Sequence, residues 1–147
     1  MKESTRLLIE EMQVNEKTDS EIYRLLAKRI GGENGNILRQ MADEEAAHSA
    51  VWGRYTGKSC AAKKLKVWLY VVMGWVFGLT FVINLLEFGE DKAGKRYSDL
   101  MAEVPEAKYI MEEEQRHEEK LAAMIDEERL KYSSNVAVQP LSSAMDR

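Results

Sequence analysis

Apolar positions recur at helical intervals through most of the chain. From about Ser4 to Ile30, Leu7, Leu8, Met12, Ile22, Leu25 and Leu26 predict one helix. The stretch "GGENGN", Gly31 to Asn36, predicts a loop. A second helix is expected from about Asn36 to Tyr55, with Ile37, Leu38, Met41, Ala42 and Trp52 apolar, and "TGKS" (Thr56 to Ser59) stops it. An uncharged run from Val67 to Leu86 follows, and then a third helix to about Met101. Pro105 suits the first turn of a fourth helix that runs to about Lys131. Residues 133–147 carry no periodicity, so a loose tail is expected after a domain spanning 1–132. Four long helices, with short 1–2 and 3–4 connections and a long crossover between helices 2 and 3, predict an all-α four-helix bundle.

Composition agrees with helices and narrows the chemistry. Charged residues make up 31% of the chain and Pro occurs twice, which disfavours sheets. The net charge of −4 is mild and Lys/Arg are interspersed with acids, so nucleic-acid binding is not expected. A single cysteine, Cys60, excludes an internal disulfide and any Cys-x-x-Cys metal site, and it fits a reducing compartment. The N-terminal "MKESTRLLIEEMQ" places acids where a secretion signal needs an apolar run, so a cytoplasmic location is expected.

The chain has two histidines, and each follows a glutamate by three residues: Glu45 with His48, and Glu114 with His117. Residues three apart are neighbours on one helix face, so each pair can serve one centre. Both pairs belong to a larger repeat. Glu16 precedes Tyr23 by seven residues, Glu90 precedes Tyr97 by seven, and each such pair is followed by its Glu-x-x-His. Carboxylate oxygens with imidazole suit iron or manganese better than structural zinc, which favours sulfur. One inward Glu from each of two helices, with Glu-x-x-His from each of the other two, is the ligand pattern of ferritin-like di-iron carboxylate proteins. Glu16, Glu45, His48, Glu90, Glu114 and His117 are therefore the expected ligands of two iron ions, with manganese as the alternative metal. Glu87, three residues before Glu90, stands as a candidate extra ligand. Tyr23 and Tyr97 read either as core residues or as hydrogen-bond partners of the ligand carboxylates. Glu21 reads as surface, and Glu44, Glu112, Glu113, Glu118 and Glu119 as solvated flanks of the motifs.

With these residues in hand, the chain resembles the rubrerythrin-like branch of the ferritin-like superfamily. More closely, it is similar to the rubrerythrin-type domain fused to membrane iron transporters of the vacuolar-iron-transporter family. The words that carry the likeness are "IYRLLAKRI", "DEEAAHSAVWGRYTGK", "LKVWLYVVMGWVFGLTF", "LLEFGEDKAGKRY", "VPEAKYIMEEEQRHEEKL" and "MIDEERLKY". The resemblance implies a di-iron site and an oxidoreductase that works on Fe(II) with oxygen or peroxide, in the manner of a ferroxidase or peroxidase. A non-catalytic sensor or donor module serving a membrane iron transporter is the alternative. A full rubrerythrin also carries a rubredoxin domain, whose cysteine pairs do not occur in this sequence, so a complete peroxide-reductase electron path is not expected from these residues. Where the fused family leads into its transporter, "SSNVAVQPLSSAMDR" stands here, and transport by these residues alone is not expected.

The run "VWLYVVMGWVFGLTFVINLL", preceded by Lys63, Lys64 and Lys66, has the length and flank of a membrane span. A span would hold the two half-sites about 30 Å apart, whereas a dinuclear site needs metals roughly 3.5–4 Å apart. The matched half-sites favour a crossover plus the buried start of the third helix. "GWVFG", Gly74 to Gly78, permits close helix approach in that setting. So long an apolar run exceeds what a small bundle buries alone, and a homodimer or docking on a membrane partner is expected to cover it.

Overall fold

The computed structural model describes the backbone of residues 1–91 and 97–145, and the side chains of 1–86, 98–127 and 130–131. Among the described residues the chain is all-α, with six helices and no strand: α1 (Glu3–Ile30), α2 (Gly32–Thr56), α3 (Lys64–Phe77), α4 (Leu79–Asp91), α5 (Tyr97–Glu103) and α6 (Ala107–Met145). α1 packs along α2 and against α3; α4 packs on α3 and α6, and α6 also meets α2 and α5.

Two boundaries differ from the hydropathy reading, and both are set by glycine. The expected loop over 31–36 shrinks to a corner at Gly31 and Gly32, with φ of 64° and 60°. Residues without a Cβ adopt positive φ at little cost, so the chain reverses there and residues 33–36 form the first turn of α2. The apolar run, read as a crossover plus the buried start of the third helix, forms two helices instead. Gly78, at φ 93°, ends α3 with its N–H on the Gly74 carbonyl at 3.1 Å, and α4 starts at Leu79. No helix among the described residues is long and apolar enough to cross a membrane. α6 remains helical to Met145, through the stretch expected to be a loose tail, because extending a formed helix is far cheaper than starting one.

The segment between α2 and α3 is tied to α1 by side-chain bonds. Gln13 Nε2 donates to the Lys58 carbonyl at 2.7 Å, and Thr56 Oγ1 donates to Gln13 Oε1 at 2.8 Å. The Lys63 backbone N–H donates to Thr18 Oγ1 at 3.0 Å. Ser20 and Ser49 hydroxyls donate to the carbonyls of Ala42 and Gln13, joining α1 to α2 through their buried faces. Glu21 pairs with Lys64 at 3.0 Å on the surface side, in keeping with its surface reading.

Among the described residues the core consists of two apolar clusters. One gathers Ile22, Leu26, Leu38, Met41, Val82, Ile83, Leu121 and Met124 with their neighbours. The other gathers Ile9, Met12, Trp52, Leu100, Val104, Ala107 and Ile110. Each helix that contributes to both clusters crosses, between them, a short polar interval.

Candidate metal centre

The inward face of each long helix follows a four-three spacing, and the polar interval falls at two consecutive positions of it. On α1 the face reads Ile9, Met12, then Glu16 and Asp19, then Tyr23 and Leu26. On α2 it reads Leu38, Met41, then Glu45 and His48, then Trp52. On α6 it reads Ile110, then Glu114 and His117, then Leu121 and Met124. Because α2 runs opposite to α1 and α6, Trp52 joins Ile9, Met12 and Ile110 while Leu38 joins Leu26 and Leu121. The polar pairs of all three helices are thereby brought to one level, closed above and below by hydrocarbon.

At that level the side chains converge. One ligand atom from each of Glu16, Glu45, His48 and Glu114 lies within 4.8 Å of the others. Glu16, Glu45 and His48 are buried, and Glu114 is half-buried. His117, also buried, stands beside this quartet: its Nδ1 lies 2.8 Å from Glu45 Oε1 and 3.9 Å from Glu114 Oε2. The two imidazole rings stack with centroids 6.1 Å apart. Five of the six expected ligands are therefore neighbours. Glu90, and with it Glu87 and Tyr97, has a side chain outside the described residues. In sequence, Glu87 and Glu90 fall between Leu86 of one apolar cluster and Leu100 of the other, with the same spacing of three as Glu16 and Asp19. Tyr23 is fully buried in the cluster with Ile22 and Leu26.

The histidines are held across the repeat rather than within it. His48 Nδ1 meets Glu114 Oε1 at 3.0 Å, and its Nε2 is hydrogen-bonded to Glu113. His117 Nδ1 meets Glu45, and its Nε2 is hydrogen-bonded to Glu44. Each Glu-Glu doublet thus grips the histidine of the other motif, inner carboxylate on Nδ1 and outer carboxylate on Nε2. The expectation that Glu44 and Glu113 are merely solvated is corrected by this arrangement. Their position one residue before the motif glutamate places them at the rim, where a long side chain reaches the outer ring nitrogen of a buried histidine on the facing helix. Glu112 and Glu119 are exposed, as expected. The doublet itself, Glu-Glu-x-x-His in both halves, is the signal that marks Glu44 and Glu113 in the sequence. Asp19, which the repeat leaves unmarked, is a further carboxylate at this level; its separation of three from Glu16 places it on the same face.

The electrostatics are those of crowded acids in a dry setting. Burial pushes the Glu45 carboxyl well above its ordinary value, and the nearby charges of Glu114, Glu16 and Asp19 push it further. Loss of hydration raises Asp19 to about 7; Lys66 opposes the rise and Glu114 adds to it. Burial alone would lower His48, but hydrogen bonds to Glu114 and Glu113 outweigh it and raise the imidazole. For Glu114 burial acts upward, yet the hydrogen bond to His48 and the two imidazoles hold it below the usual carboxylate value.

The donor set fits a hard or borderline divalent cation: carboxylate oxygens and imidazole nitrogens, with no sulfur among them. Glu45 Oε2 is buried and has no hydrogen-bond partner among the described residues, although an unsatisfied carboxylate oxygen there is costly. A cation among these groups would satisfy that oxygen and relieve the mutual repulsion at once.

These shifts give a signed expectation for pH. Glu45, Asp19 and His48 all hold protons more tightly folded than unfolded. For His48, stability is fully present below the unfolded value of 6.5 and is lost as pH rises through the raised folded value. For the two carboxyls, ionisation of the unfolded chain draws stability away from pH 4 upward, through about 7 for Asp19. Metal-free protein is therefore expected to lose stability from pH 5 to 8, while stabilisation by metal grows as ligand protons become easier to displace. Thermal unfolding at several pH values, in chelator and in Mn(II), measures both trends. A melting temperature in chelator that climbs from pH 5 to 8 would contradict the assignment.

Comparison with protein families, with curated proteins and with solved structures finds no match to this chain.

Proposed function

We propose that this chain is a ferritin-like di-iron carboxylate protein of the rubrerythrin type, a four-helix bundle with a crossover, that takes up Fe(II) and oxidises it with oxygen or peroxide. The observation that carries this reading is the buried convergence of Glu16, Glu45, His48 and Glu114. His117 adjoins that group, and the internal repeat adds Glu90 as the sixth ligand, with Glu87 as a candidate extra one. Iron, when bound, supplies the one-electron redox change that these side chains lack.

The protein's own part is positioning and charge. Glu16, Glu45 and Glu114 bring enough negative charge to hold divalent ions in a low-dielectric layer, and the clusters around Leu121 and Trp52 exclude water from it. Ligation by a histidine Nδ1 requires that atom to be free of its proton. Glu113 and Glu44, as acceptors on the two Nε2 atoms, favour the tautomer with the proton on Nε2 and leave Nδ1 as the donor atom to the metal.

Anaerobic loading with Fe(II), metal analysis, and rapid mixing with oxygen or hydrogen peroxide test the proposal. About two irons per chain, with absorbance developing near-stoichiometrically on mixing, is the expected result. Iron held without oxidation would replace the enzyme by the donor or sensor reading. Absence of stoichiometric Fe or Mn would overturn both.

A further inference from the structure

α3 is apolar on two sides. Its inner stripe, Val67 and Val71, is buried in the core. A second stripe at helical spacing, Leu65, Trp68, Leu69, Trp75 and Val76, is exposed, and Phe77 and Phe81 continue it across the Gly78 corner. Leu65 is 72% and Trp68 62% exposed, values ordinary for lysine and costly for side chains of this size.

The charge around this face is segregated. Residues 46–86 contain Arg54, Lys58, Lys63, Lys64 and Lys66 and no acidic residue, in a chain whose net charge is −4. Lys63 and Lys64 are exposed at the N-terminal end of α3 and Lys58 in the segment before it, Lys64 also pairing with Glu21 at 3.0 Å and Lys58 with Glu10 at 4.0 Å. Arg29 lies 5.1 Å from the Trp75 ring centre at the other end. An apolar, tryptophan-bearing stripe with cations at its ends matches a negatively charged, oily surface. A second copy of the same face matches less well, because it would set the basic ends of two such faces, each with Lys63 and Lys66 beyond the Lys64–Glu21 pair, against each other. Spanning is excluded by length: α3 has 14 residues, roughly 21 Å of helix against about 30 Å of hydrocarbon.

We infer that the outer face of α3, with Phe81 of α4, docks in the plane of an anionic lipid surface, its tryptophans at headgroup depth and its lysines on the phosphates. The inference is independent of the metal reading, since Leu65 and Trp68 belong to neither the polar layer nor its hydrogen bonds.

The test is co-sedimentation of the full chain with vesicles of phosphatidylcholine alone and with about one-third phosphatidylglycerol, in low and high salt, with tryptophan emission recorded. Binding at least tenfold stronger to the anionic vesicles is expected from several lysines at about fivefold each. It should weaken with salt and carry a blue shift. The double variant Leu65→Ser/Trp68→Ser should lose about tenfold or more in binding, with melting temperature and Fe(II) content unchanged. Equal affinity for both vesicles, or no binding to either, overturns the inference. So does a stable dimer in sedimentation velocity that the double variant dissociates, because a second copy would then be the occupant.

Discussion

Glu45→Gln is expected to abolish metal-dependent stabilisation while leaving the metal-free protein at least as stable as the parent. Glu45 is fully buried, and the surrounding carboxylates disfavour its charge. Glutamine keeps the shape, and its amide N–H can donate to the proton-free His117 Nδ1, which lies 2.8 Å from Glu45. It removes the ionisation that a buried site without metal resists. The metal-free gain should be on the order of 1–2 kcal/mol at pH 8, because the acid is ionised in the unfolded chain and its burial disfavours that charge in the folded one. In the presence of Mn(II) at a thousandfold excess over its dissociation constant, the parent gains about 4 kcal/mol from ligation, and the variant should gain almost none of it. Thermal unfolding of both proteins, with chelator and with Mn(II), gives the four values needed. A variant that still rises with Mn(II) would show that the oxygen atoms of Glu45 do not hold the ion. A metal-free variant that is markedly weaker would show that Glu45 is a structural partner first.

Trp52→Ala should be the most damaging of the tryptophan replacements, by about 3–5 kcal/mol. Trp52 is fully buried and packs in the cluster with Ile9, Met12 and Ile110, four residues after His48 on the same face. Its removal leaves a cavity beside the polar layer, so metal affinity should fall along with stability as water enters. Trp68→Ala, on the exposed face, should change stability by no more than about 0.5 kcal/mol. Trp52→Phe should recover much of the loss, because the indole N–H of Trp52 has no hydrogen-bond partner among the described residues to forfeit. Urea unfolding in chelator, followed by circular dichroism, ranks the three. Equal costs at positions 52 and 68 would contradict the packing of α2 against α1 and α6.

Most of the helices were legible from periodicity because each long helix buries only one face. Ile22, Leu26, Leu38, Met41, Leu121 and Met124 announce themselves by spacing and are buried. The break at Gly78 was not legible, since an unbroken apolar run has no period, and the difference between one helix and two rests on a single backbone angle. The Glu-x-x-His repeat was readable because its members lie three apart on one helix. Pairing across helices was not: that His48 answers to Glu113 and Glu114, and His117 to Glu44 and Glu45, depends on the antiparallel register of α2 and α6. Asp19 was hidden for a different reason. It has no counterpart histidine or tyrosine in the repeat, and only the face it shares with Glu16 reveals it.

The polar layer also acts as a ruler for assembly. An apolar helix face repeating every seven residues can slide by one heptad against its neighbours and still meet hydrocarbon with hydrocarbon. Here such a slip of α6 would carry Glu114 and His117 into the level of Trp52 and Ile9, and set Leu121 and Met124 against Glu45 and His48. Buried acids would lose their imidazole partners, and apolar side chains would gain nothing in return. Misaligned packings are thus penalised before any ion arrives. The cluster that would bind metal in the finished protein would then also disfavour, during folding, alignments that part its acids from their imidazole partners.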